Sequence, residues 1–347
     1  MLKKICTLLL CLTILSLIAN GNSYAETEDE YRTIIDMAGN EVTIPVNITK
    51  VACISATCET ALVAMGQADK MAYSSTFAQG DFAFTEKLFP ALSTVKKVKG
   101  GLTAEEMIAE GVQVVLVKSK GNVERMQQAG IPVIYLEFNN IEQTKQSVQL
   151  LGDVFHAEDI AEQYIYYMDH YLPLISERLS HISEDERITV YLPLLRTADN
   201  TIFNTYDPSH ITTEVLNLCG AHVITEDIEF TDQNGIVTEE ALIRLNPEVI
   251  MVAGFYREAG VESLTNGTYD GILQAVDNHR IYYYPLGIYD WSAGGFELGI
   301  SSLWCAKVLY PEIFEDIDIH TIAKEYYFNT TGTALTDEEI ADIFHEN

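Results

Sequence analysis

Positive charge is scarce in this 347-residue chain, where 21 Lys and Arg stand against 51 Asp and Glu for a formal net charge of −30. So acidic a protein has no basic surface to neutralise a phosphate backbone, which excludes nucleic acid as its partner. Anionic membrane surfaces are poor partners for the same reason. Catalytic signatures are also missing: there is no GxGxxG after a strand, no P-loop, no HExxH and no GxSxG. The eight histidines are scattered, without metal-ligand spacing. Among six cysteines there is no CxxC, so neither a zinc site nor a redox motif is indicated. Cys219 and Cys305 lie among Leu, Ala and Trp and read as core thiols, whereas pairing of Cys53 with Cys58 is left open.

Only one apolar run is long, Ile5 to Ile18, and it is too short for a comfortable membrane span. Lys3 and Lys4 precede it, and Ser23-Tyr24-Ala25 follows with small residues at the −3 and −1 positions of a cleavage site. Residues 1–25 therefore read as a signal peptide cleaved near Ala25, sending the protein to the periplasm or the outer face of the cytoplasmic membrane. Cys11 follows three leucines, which does not suit a lipoprotein cleavage site. The whole chain is 48% hydrophobic and 21% charged, a globular composition, and its length suggests two domains.

Strand-then-helix units recur along the chain. Lys50–Ile54, Met71–Tyr73, Val112–Val117 and Ile131–Leu136 are short apolar or β-branched runs, the pattern of parallel strands buried on both faces. Glu59–Met65 and a segment from Thr103 to Ala109, capped by Thr103 with Glu106 three residues on, read as helices. From about 157 to 180, Ile160, Tyr164, Tyr167, Met168, Tyr171, Ile175 and Leu179 recur at spacings of three and four, predicting one long helix that Pro173 should kink or interrupt. The alternation then restarts, with strands at Ile188–Leu194, Val249–Ala253 and Ile281–Tyr284 and helices at Ile211–Leu218 and Glu297–Leu309. Two short helices close the chain. The expected architecture is α/β: an N-terminal Rossmann-like lobe over 26–156, a bridging helix over 157–182 and a second such lobe over 183–347, with a ligand cleft between them.

In open α/β sheets, ligands bind beyond the carboxyl ends of the strands. The loops there hold Tyr73, Phe77, Phe82 and Phe84; Lys118 and Lys120; Arg196 and Tyr206; Phe255, Tyr256 and Arg257; and Tyr289 and Trp291. Rings with a few cations suit a large, partly apolar ligand bearing negative charge or metal-chelating oxygens. The expected ligand set is Tyr73, Phe77, Lys118, Arg196, Tyr206, Tyr256, Arg257, Tyr289 and Trp291, with Arg196 and Trp291 foremost.

The stretch Thr33 to Pro45 followed by Lys50-Val51, the segment Asn246-Pro247-Glu248-Val249-Ile250, and the tail from Trp291 through Leu303 to Glu312 resemble the periplasmic substrate-binding proteins of ABC importers for iron complexes, haem and vitamin B12. The resemblance covers residues 31–345. It implies two lobes bridged by a helix, no enzyme activity, no resident cofactor, a monomer, and delivery of cargo to an ABC permease and its ATPase. It also implies one docking glutamate per lobe, which the matching motifs place at Glu105 and Glu240, with Glu106 or Glu239 as neighbouring alternatives. A ferric siderophore fits the aromatic and basic set best, with a corrinoid, haem or a molybdate-type oxyanion as alternatives. The competing class is a secreted metal-dependent hydrolase or lyase. It would need histidines and carboxylates converging in one cleft, and only His210 lies near these loops.

Overall fold

The computed structural model describes residues 30–78, 82–195, 202–228 and 235–346, so the expected signal peptide lies outside the described residues. An antiparallel hairpin of β1 (Tyr31–Ile35) and β2 (Glu41–Pro45) opens the chain. Its turn is organised by the buried Asp36, whose carboxylate accepts the N–H groups of Ala38 and Asn40 at 3.0 and 2.9 Å.

The first lobe then runs β3 (Val51–Cys53), α1 (Ala56–Ala64), α2 (Ala83–Leu88), α3 (Ala104–Ala109), β4 (Val114–Val117), α4 (Lys120–Gln128), β5 (Val133–Tyr135) and α5 (Ile141–Phe155). Its sheet is parallel, in the order β3-β4-β5, with Val51 opposite Val114 and Val115 opposite Val133. Every residue in these three strands is buried, as continuous apolar runs require when helices cover both faces. The strand expected at Met71–Tyr73 reduces to a single bridge between Met71 and Val51, because the chain turns away into the cleft loop.

The second lobe follows α6 (Glu158–Arg178) and comprises β6 (Ile188–Tyr191), α7 (Ile211–Leu218), β7 (Ala221–Val223), α8 (Glu239–Leu245), β8 (Val249–Val252), α9 (Arg257–Leu264), α10 (Gln274–Asp277) and β9 (Ile281–Tyr283). Its four strands are all parallel in the order β7-β6-β8-β9. Three helices close the chain: α11 (Leu298–Leu309), α12 (Ile319–Thr331) and α13 (Asp337–Ile343). Among the described residues no helix is long and apolar enough to cross a membrane. Cys53, Cys58, Cys219 and Cys305 are all buried free thiols.

Helix α6 bridges the lobes and passes through Pro173 without a break. Pro173 is exposed, as is Asp169, so the carbonyl deprived of its usual donor faces water, which can satisfy it. The buried face carries Ala161, Tyr164, Tyr167, Met168, Tyr171, Leu172 and Ile175. Two glycines let neighbours approach this face closely. A Cβ on Gly152 of α5 would lie 2.7 Å from the Cβ of Ala161, and one on Gly299 of α11 would lie 2.7 Å from the Tyr167 backbone. Tyr164 then ties both sides together: its hydroxyl donates to the Ala64 carbonyl at 3.1 Å, and its ring meets Phe296 edge-on at 4.9 Å.

Because backbone cannot yield as a side chain can, Gly299→Val should lower stability by about 1–3 kcal/mol or more. The urea midpoint of the variant checks this, against Gly295→Ala as control, whose added Cβ meets nothing within 4 Å.

Candidate functional site between the lobes

The cleft loops of both lobes are fixed by buried carboxylates. In the first lobe, Ser55 caps α1 by accepting the Cys58 N–H at 3.1 Å, which sets Glu59 in the first turn. Glu59 is fully buried and accepts from the Ser75 N–H at 3.0 Å, the Ser75 hydroxyl at 2.7 Å, the Thr76 N–H at 3.1 Å and the Ser74 hydroxyl. The loop bearing Phe77 is thereby held, with the Phe77 N–H donating to the Ser74 Oγ at 2.9 Å. In the second lobe, Asp290 accepts the N–H groups of Phe255 and Ser292, both at 2.9 Å. Glu297 accepts those of Ile288 and Tyr289 at 2.9 and 3.1 Å, together with the Tyr327 hydroxyl.

These clamps bring aromatic rings together across the lobes. Phe82 stands 4.7 Å from Phe77 on its own side, and 5.8 Å from Phe255 and 6.5 Å from Tyr289 on the other, where Phe255 and Tyr289 meet at 5.0 Å. The Thr85 hydroxyl donates to the Ile288 carbonyl at 3.0 Å, Lys87 pairs with Glu339, and the Ile141 N–H donates to Glu214 at 3.0 Å. Behind the rings lies a cavity of about 410 Å³ walled by Phe82, Phe84, Phe255 and Tyr289, with Glu339 and Asp342 at its acidic edge.

A polar point lies elsewhere in the cleft. Lys118 follows β4 with its Nζ 3.4 Å from the Thr57 hydroxyl in the first turn of α1. His210, the N-cap of α7, accepts the Thr212 N–H on Nδ1 at 3.3 Å and lies against Tyr206 with ring centres 4.6 Å apart. Burial and then the Lys118 charge push the His210 imidazole down to about 4, so it is neutral at ordinary pH and its cap persists. The lysine of one lobe thus acts electrostatically on the histidine of the other, with the N-termini of α1 and α7 on either side.

Of the expected ligand residues, Lys118, Tyr206, Phe77 and Tyr289 fall in this arrangement. Arg196 lies outside the described residues. Tyr73 is 3% exposed and packs into the first lobe's own cluster with Val115 and Tyr135, so it is a core ring. Tyr256 likewise packs against the second lobe's core. Arg257 turns its guanidinium over Tyr283, 5.8 Å from the ring centre. Trp291 is 3% exposed and meets Phe344 edge-on at 5.6 Å, supporting its loop from behind. Glu105 and Glu240 are exposed in the first turns of α3 and α8. Missing from the expected set were Thr57, His210, Phe82 and Phe255 and the three clamping acids. The available signals were the serine cap before α1 and acids standing inside apolar stretches.

Burial raises the Glu297 carboxyl from 4.5 to about 7, although its donors pull the other way. The folded state therefore holds this proton more tightly, and stability is lost as pH rises from about 4.5 through about 7. Glu297→Gln should remove that dependence, which is worth at most about 3 kcal/mol. Urea denaturation of both proteins at either end of the window checks it.

No group of three or more His, Cys, Asp or Glu side chains arranged to hold a metal occurs among the described residues. The periplasmic binding protein family model matches residues 51–286. The molybdate-binding protein MolA of Haemophilus influenzae is 25% identical over 199 residues, 57% of this chain and 54% of that protein, so this chain spans about half the length of that relative. Its molybdate-bound structure aligns with a TM-score of 0.74 at 20% identity, covering 88% of this chain and 99% of that one. An ABC transporter substrate-binding lipoprotein of Bacillus subtilis is 25% identical over 297 residues, 82% of this chain and 87% of that protein. An ABC transporter solute binding protein of Sulfurospirillum deleyianum aligns with a TM-score of 0.75 at 18% identity, covering 90% and 99% of the two chains. With two parallel-sheet lobes, a bridging helix and a family match over most of its length, the chain belongs to the periplasmic binding protein family.

Proposed function

We propose that the protein is the extracytoplasmic solute-binding component of an ABC importer, that its cleft captures a compact anionic metal species of the molybdate type, and that it hands this cargo to a membrane permease. The observation that carries the reading is the convergence of Lys118, Thr57 and the two helix N-termini in an otherwise acidic protein. Oriented N–H groups and one cation favour an oxyanion and need no large cavity. The description of MolA as molybdate-binding supports the same ligand class.

The 410 Å³ aromatic cavity favours a second reading, a ferric siderophore or other organic chelate. A bulky chelate would first have to part Phe82 from Phe255 and Tyr289, whereas a compact oxyanion would not.

A thermal-shift panel on residues 26–347 with molybdate, sulfate, ferric hydroxamates, ferric catecholates, cobalamin and haemin tests both. A ligand at a hundred times its dissociation constant adds about 2.7 kcal/mol of stability. Molybdate should shift the wild type, and Lys118→Ala should weaken its binding about tenfold or more, as expected for loss of a charged hydrogen bond. A shift with a ferric chelate alone, lost in Phe255→Ala, would move the ligand to the aromatic cavity. No shift with any of these compounds would overturn the ligand class.

A further inference from the structure

The second lobe carries a pocket at the end opposite the cleft. It lies at the amino-terminal edge of the sheet, where β6 and β7 begin, and measures about 360 Å³. The ends of α6 and α7 form its walls, through Ser176 and Leu179 on one side and Asn217 and Leu218 on the other. Arg187, one residue before β6, lines it as well. A volume of this size is in the range of small-molecule sites, and capture in the cleft makes no use of it.

Arg187 is the unusual member. In a chain with 51 acidic residues it forms no ion pair with a described residue. Its Nη1 donates to the carbonyls of Asn217 at 3.2 Å and Ala221 at 3.4 Å, which caps α7 and fixes the guanidinium. Capping accounts for that nitrogen alone. Nη2 has no partner among the described residues, and Nε is buried without one. Asn217 is half satisfied in the same way, because its Nδ2 donates to both carboxylate oxygens of Glu226, at 3.0 and 3.2 Å. A carboxylate only accepts, so the amide cannot be turned over, and Oδ1 is left buried with no donor. The pocket thus holds an unmet donor edge and an unmet acceptor, each fixed from behind. Buried polar groups without partners are rare and costly.

The surroundings decide the charge of what would meet them. Two helix C-termini bring partial negative charge to the pocket, and Glu226 stands behind Asn217. An anion alone would be repelled by these, and a cation alone would face Arg187. A molecule carrying both signs is attracted at both places. Leu179, Ile182 and Leu218 give the same pocket an apolar side.

We propose that this pocket binds a small zwitterion, an α-amino acid with an apolar side chain, at a site separate from the cleft. The carboxylate takes the Nε–Nη2 edge of Arg187, the planar fork that suits it. The ammonium donates to Asn217 Oδ1 and to the carbonyl ends of α6 and α7. The side chain lies on the three apolar residues. Ile182 and Leu218 are half-buried, and their movement uncovers the two shielded atoms. The site depends neither on the ligand of the cleft nor on a permease.

Isothermal titration of residues 26–347 with L-leucine tests this, alongside isocaproate, which lacks the ammonium, and isoamylamine, which lacks the carboxylate. Leucine should bind once per chain, and each analogue about tenfold or more weaker, as expected for loss of a charged hydrogen bond. Arg187→Lys, which keeps the charge and loses the fork, should weaken leucine to a similar degree. Ser176→Trp should abolish binding by filling the pocket. Ser176 is exposed, so the variant should fold, and an unchanged thermal midpoint checks that. Lys118→Ala, altered in the cleft, should bind leucine like the wild type. Leucine binding that survives Ser176→Trp, or is lost in Lys118→Ala, would place the ligand elsewhere and overturn the site. Isocaproate binding as tightly as leucine would overturn the zwitterion, and no leucine binding at millimolar concentration would overturn the proposal outright.

Discussion

The closeness with which α5 and α11 approach the bridging helix α6 sets the geometry of everything in the cleft. Gly152 and Gly299 leave out the Cβ atoms that would otherwise hold these helices apart from Ala161 and from the Tyr167–Met168 backbone. One helix pair belongs to each lobe, so a single rod registers both. Interiors at native packing density transmit such contacts rather than absorb them, and a shift of a fraction of an ångström at α6 would be carried to the loops above. Tyr164 adds a polar stitch, binding the end of α1 while packing on Phe296 just ahead of α11. The register between the lobes is here a matter of missing methyl groups.

Given that frame, the loops need their own supports, and the protein uses buried carboxylates for them. Glu59 replaces its lost water with N–H and hydroxyl donors from a single loop, Asp290 with the N–H groups of Phe255 and Ser292 from two loops, and Glu297 with those of Ile288 and Tyr289 together with the Tyr327 hydroxyl of α12. The exchange is favourable only while all donors are in place, because an unsatisfied buried carboxylate is costly. Loop conformation and carboxylate solvation are therefore one cooperative unit. Asp290 and Glu297 still bind protons more readily than free acids do, since burial outweighs their donors. That residual cost is what holding Phe255 and Tyr289 in place requires.

The sheets were legible in the sequence because buried parallel strands are continuous apolar runs, and Val114–Val117 and Val249–Val252 can hardly be anything else. The long helix was legible from its stripe, though Pro173 was not read as harmless, because its exposure depends on which face α6 buries. β7 escaped because His222 interrupts a strand of three residues. In the cleft, the loops were located but not the directions of their rings. Tyr73, Trp291 and Phe82 occupy similar contexts, yet the first two pack inward and the third faces the other lobe. An aromatic ring is equally at home in a core or a wall, so its orientation is decided by tertiary contacts that no local pattern carries. The clamping acids were unread for a related reason: an acid in an apolar stretch signals burial only once its donors, up to seventeen residues away in the case of Glu59, are known.

Charge arrangement follows a division of labour. The rim carries glutamates, the interior of the cleft carries Lys118, and the neutral His210 beside it adds an aligned helix N-terminus without adding a second cation. An anion entering such a cleft is repelled by the surroundings and attracted at one point, so selectivity is concentrated where both lobes contribute. On the proposed function, a bound anion would draw α1 and α7 together and favour the closed arrangement by its differential affinity for it.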